Sequence, residues 1–135
     1  MLPSGLDEVV ANGEDLTRFL TSKSQFNSQM AKPAAFLPAH KDRETSVFRQ
    51  GAQPPAALWV ISDEYVAGNR TVHGAAIVKA GDVRATGLDV FPEEPPPWHA
   101  AIRGWPWLEN DPELQKAQQK ELAMLVASKA ILLRR

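Results

Sequence analysis

The chain contains no cysteine, which excludes disulfide staples, thiolate metal sites, cysteine nucleophiles and iron–sulfur clusters. It has no excess of one charge either, since 15 Lys and Arg stand against 16 Asp and Glu. A net charge of −1 supplies no general field for gripping phosphate backbones. Nucleic acid is therefore possible as a partner only through a local patch, and is not favoured. Apolar runs stay far below the roughly 18 residues that a membrane helix needs. The segment Met1-Leu2-Pro3-Ser4-Gly5 has neither the basic flank nor the apolar stretch of a secretion signal. The expectation is a soluble, cytoplasmic protein with no membrane contact. With 135 residues and 44% hydrophobic side chains, one globular domain spanning 1–135 is expected.

Recognisable chemistry is scarce as well. No Gly-Xaa-Ser-Xaa-Gly elbow is present, and Gly74-Ala75-Ala76 and Ala80-Gly81-Asp82 lack the glycine spacing and Lys-Ser/Thr ending of a phosphate loop. Carboxylates pair only as chain neighbours, such as Asp63-Glu64 and Glu93-Glu94, which point apart on either a strand or a helix. The histidines, His40, His73 and His99, match no local metal-ligand spacing. No metal and no cofactor is expected.

What is present is a legible run of elements. After the Asn12-Gly13 turn, Leu16, Phe19 and Leu20 fall at i, i+3 and i+4, which predicts an N-terminal helix. Residues 45–49 read as a charged edge strand. Residues 57–66, apolar on both faces, read as a central strand. Residues 71–79 and 83–91 read as two more strands, with Ala80-Gly81-Asp82 as a tight turn between them. Loops this short require antiparallel pairing, so a β-meander of three to four strands is predicted. Asp111-Pro112-Glu113 supplies an N-cap, a proline at the first helical position and an acidic first turn. A long C-terminal helix is expected from there to about residue 133, presenting Leu114, Leu122, Leu125, Val126 and Leu132 to the core. The fold class is α+β, an antiparallel sheet packed against an N-terminal and a C-terminal helix.

One segment is unusual. Residues 92–112 hold six of the 11 prolines and three of the four tryptophans, Trp98, Trp105 and Trp107, so residues 92–111 read as an ordered Pro/Trp-rich loop without regular structure. Consecutive prolines favour an extended polyproline path, and each indole presents about 150–250 Å² of surface. Either the rings cap the sheet, or some of them stay outside as binding anchors with Arg103 beside them. Arg43 and Arg49 form a second candidate for carboxylate or phosphate binding, with Asp42 and Glu44 available to neutralise them.

Two main functional readings follow. The first is a non-enzymatic interaction or regulatory module that docks a protein partner through Trp98, Arg103, Trp105 and Trp107, with Arg43 and Arg49 adding charge. A homodimer through the 45–49 edge is open to it. The second is a metal-independent nuclease or other phosphoryl-transfer enzyme that uses His73 and His99 with Arg84 or Arg103, Lys79 lying on the same surface as His73. A small-ligand pocket between loop and sheet is a third.

Overall fold

The computed structural model describes residues 1–50, 53–54 and 56–135. The apolar segment Asp15–Leu20 forms strand β1 and not the helix its spacing predicts. Phe19 and Leu20 are both buried, but in different apolar clusters, as neighbours on a strand between two covered faces must be. Strand β2, Thr45–Arg49, forms where expected, yet it is not an edge. The six-stranded sheet has the order β4-β5-β2-β1-β3-β6, so β2 is paired on both sides. It is therefore not the free edge that a homodimer through 45–49 calls for, and the edge strands among the described residues are β4 and β6.

The largest misreading concerns residues 57–66. They form helix α1, Ala57–Tyr65, with Leu58, Ile61 and Ser62 buried and Val60 61% exposed. A run apolar on both sides suits a buried strand or a helix equally well, and the i, i+3, i+4 face decided it. Strand β3, Gly74–Lys79, follows, then the short helix α2, Ala80–Arg84, where a tight turn was expected. Of residues 83–91 only the end becomes strand β4, Asp89–Pro92.

Residues 92–111 are not free of regular structure, because they contain β5, His99–Arg103. The proline run turns back as the β4–β5 connection instead of extending, with Glu94–Pro95 and Pro95–Pro96 both cis. Helix α3, Pro112–Lys129, starts at the predicted cap, where Asp111 accepts from the Leu114 amide. It ends at Lys129, and Ile131–Arg134 form strand β6, antiparallel to β3.

The meander does not form. Strand β3 lies between β1 and β6, and three strands separate it from β4. All pairings are antiparallel. Among the described residues the architecture is therefore α+β with six strands and three α-helices, without the N-terminal helix. Helix α3 covers one face through Ala123, Val126 and Ala127, against Leu16, Val47, Ala100, Ile102 and Trp105. Small residues make this contact, while Leu114 and Leu125 of the expected face are about half exposed. The opposite face carries a smaller cluster in which Phe19, Phe48 and Ala75 meet Leu58 and Ile61 of α1. No helix among the described residues is long and apolar enough to cross a membrane.

Candidate functional site

Strands β1 and β2 pair only at Leu16–Arg49 and Thr17–Phe48. Beyond those two pairs the ladder stops, and the Arg18 side chain bridges the gap. Its Nε donates to the Ala35 carbonyl at 2.8 Å and its Nη1 to the Ser46 carbonyl at 2.9 Å. Arg18 lines a cleft of about 290 Å³ on the α1 side, together with Ser46, Tyr65, Arg70 and His99. Phe19, Phe48, Val66 and Pro96 form its apolar walls. Burial pushes the Arg18 guanidinium below its ordinary value, and the positive charge of Arg70 pushes it further. Arg70 donates to the Val66 carbonyl at 2.8 Å. Among the described residues neither guanidinium has a carboxylate partner.

Beside the two cations lies a serine–histidine pair. Ser46 sits exposed in β2 and hydrogen-bonds through Oγ to His99 Nε2. His99, 8% exposed, is the first residue of β5, and its ring packs edge-on against Phe48 at 5.2 Å. Its Nδ1 lies 2.8 Å from the Glu93 carbonyl. A carbonyl only accepts, so Nδ1 carries the proton and Nε2 accepts from the Ser46 hydroxyl. Trp98 enters this strand at φ 66°, a conformation uncommon for aromatic residues, with its carbonyl accepting from the Arg49 amide at 2.7 Å. The ring of Trp98 packs on the α1-side cluster.

Behind His99, Arg103 bridges Glu44 and Glu93, 2.6 Å from the latter. Both carboxylates raise the Arg103 value, Glu44 the more. Burial raises Glu44, and the neighbouring Glu93 adds to it against the pull of Arg103. Burial works against ionisation of Glu93 too, yet hydrogen bonds with Glu44 and Arg103 leave it below its ordinary value. The pair divides the load, Glu93 carrying the charge more readily than Glu44.

The other residues named by the sequence are scattered. His73 lines a separate cleft of about 540 Å³ with Phe26, Arg134 and Arg135, and is not brought to His99. Three strand spacings separate β3 from β5, about 14 Å. Arg84 pairs with Asp89 and Lys79 with Asp15, each at 2.8 Å, away from both clefts. His40 packs on Trp107 at 5.4 Å between ring centres, and Arg43 stacks over the same indole at 4.8 Å. Trp107 is itself half-buried against the α3-side core, and Trp105 is inside that core at 5% exposure. Arg49 is 1% exposed, with Glu14 and the Asp7 carbonyl as partners. It ties the N-terminal segment to the sheet and does not reach the Arg18 cleft. Among the described residues no group of three or more His, Asp or Glu side chains is arranged to hold a metal ion.

Sequence reasoning missed Arg18, Arg70, Tyr65 and Ser46. The available signal was Arg18 itself, a lone charge within Leu16-Thr17-Arg18-Phe19-Leu20, since an apolar strand rarely carries one without a purpose. No protein-family model, no curated protein and no solved structure matches the chain.

Proposed function

We propose that this protein binds a phosphate-bearing ligand in the cleft between Arg18, Arg70 and His99. The observation that carries this reading is the pair of guanidiniums that share one cleft without a carboxylate. Like charges held together in a partly dry site repel, and an anion between them removes that cost. A phosphoryl group suits the site because it takes charge-assisted hydrogen bonds from several donors at once and guanidinium forks match its geometry. The Tyr65 phenol offers a further donor. The apolar walls leave room for a small organic group beside the phosphate.

Titration of the chain with inorganic phosphate, followed by calorimetry, tests this. Arg70 is exposed and its Arg70→Ala variant should keep the fold, within about 0.5 kcal/mol. Its affinity for phosphate is expected to fall about tenfold or more, as loss of one charge-assisted contact implies. Unchanged affinity in that variant would sink the assignment. Docking of a protein partner on residues 92–111 has fewer free groups to work with, because Trp105 is in the core and Trp107 already holds Arg43 and His40 against it.

A further inference from the structure

We infer that Ser46 is a nucleophile that accepts a phosphoryl group from a phosphate ester bound in this cleft, with His99 as its general base. The inference rests on the anion-site reading and adds a reaction to it. Three features of the geometry support it. The Ser46 hydroxyl is exposed and lines the cleft, so an electrophile can reach Oγ. Its hydrogen bond runs to an imidazole nitrogen free to accept, because the other ring nitrogen is held by the Glu93 carbonyl; that is the arrangement in which a base activates a hydroxyl. The Arg18 guanidinium sits against the same residue, on the Ser46 carbonyl, where it faces charge developing on the phosphoryl oxygens.

The first step moves the Ser46 proton to His99 Nε2 as the bond from Oγ to phosphorus forms. The bond from phosphorus to the ester oxygen breaks on the side opposite Oγ, and the departing oxygen takes a proton from solvent water. From a monoester an alcohol leaves and phosphoserine remains, with Nε2 protonated. In the second step a water attacks phosphorus opposite Oγ and gives its proton to solvent. The bond from phosphorus to Oγ breaks, Oγ recovers the proton from Nε2, and inorganic phosphate is released. No other reactant is needed. Arg18 and Arg70 hold the phosphoryl oxygens throughout, and the buried His99, packed on Phe48, stays aimed at Oγ.

The test uses the full chain with p-nitrophenyl phosphate and bis(p-nitrophenyl) phosphate, which separate monoester from diester preference. Release of p-nitrophenolate is expected from at least one of them. Acid-quenched protein should carry one phosphoryl group, located by peptide mass spectrometry at Ser46. Ser46→Ala alters an exposed side chain, so it should melt normally and still bind inorganic phosphate while releasing no p-nitrophenolate. His99→Gln should slow release by on the order of a hundredfold or more. If Ser46→Ala releases p-nitrophenolate as fast as the parent chain, Ser46 is not the nucleophile. If the parent binds phosphate but cleaves neither ester, transfer is overturned and the anion site stands. If it binds no phosphate, both readings fall.

Discussion

The two faces of the sheet are built to different standards. The α3 side is closed: aliphatic side chains from both ends of the chain meet Trp105 under a long helix, and Thr45 Oγ1 donates to the Phe36 carbonyl at 2.6 Å. The α1 side is smaller and interrupted. Helix α1 covers only part of it, the β1–β2 ladder opens beside it, and two hydroxyls, Thr17 Oγ1 and Ser62 Oγ, are buried among the described residues without a hydrogen-bond partner. Indole nitrogens of Trp105 and Trp107 share that condition on the α3 side, so neither face is fully satisfied. The candidate site lies on the less finished face. Open strands, unpaired cations and exposed hydroxyls are liabilities for stability, and they are also what a ligand needs.

The sharpest way to break this comparison is to remove one anchor from each side. Trp105→Ala should cost about 3–5 kcal/mol in denaturant unfolding, because its void is enclosed by packed neighbours. Leu58→Ala should fall near the lower end of the usual range, about 2 kcal/mol, since water reaches its smaller cluster more readily. If Leu58→Ala costs as much as Trp105→Ala, the α1 side is as well closed as the other.

A smaller effect of opposite sign is expected at Thr17. Thr17→Val exchanges an unpaired buried hydroxyl for a methyl group of similar shape and should be neutral or stabilising by up to about 1 kcal/mol. A loss of stability would mean that the hydroxyl has a partner in solution.

The smallest effects should come from acid. The Asp63 carboxyl is held below its usual range by hydrogen bonds from Arg135, and Asp89 by Arg84 and then the Val90 amide. Groups lowered in this way add stability above the ordinary carboxylate value, which is lost as pH falls through their lowered folded values. Glu44, raised mainly by burial, runs the other way, its contribution being present at low pH and lost as pH rises through its folded value. The melting temperature should therefore decline in acid, less steeply in Asp89→Asn than in the parent chain. Parallel slopes would show that the Arg84–Asp89 pair adds nothing.

Some elements were legible because local chemistry alone specifies them. The cap at Asp111-Pro112 starts α3 regardless of what the helix packs on, and the β-prone side chains of residues 45–49 make a strand in many contexts. The other readings failed where one pattern fits two structures. Leu16, Phe19 and Leu20 satisfy a helical face, but in a sheet covered on both sides they satisfy two different cores. Residues 57–66 are apolar enough for a buried strand, and became a helix because β2, β1 and β3 already fill the centre of the sheet. The candidate site was almost illegible. Only His99 was singled out from it, paired with a histidine that the fold keeps apart from it, because Arg70, Ser46 and Arg18 lie far from it in the chain, Ser46 by 53 residues.

The sequence by itself determined the composition-level outcome: an α+β chain with no thiol chemistry, a capped final helix and a β-prone centre. Those features depend on residue type and on neighbours a few positions apart, which the chain carries locally. Only the tertiary structure decided strand order, and with it which charges meet. Ser46 and His99 meet diagonally across β2 and β5 because β5 crosses back to pair with β2, and Arg18 joins them because β1 parts from β2 after two residue pairs. Long-range register of that kind is set by how whole faces pack, so no local stretch of sequence encodes it.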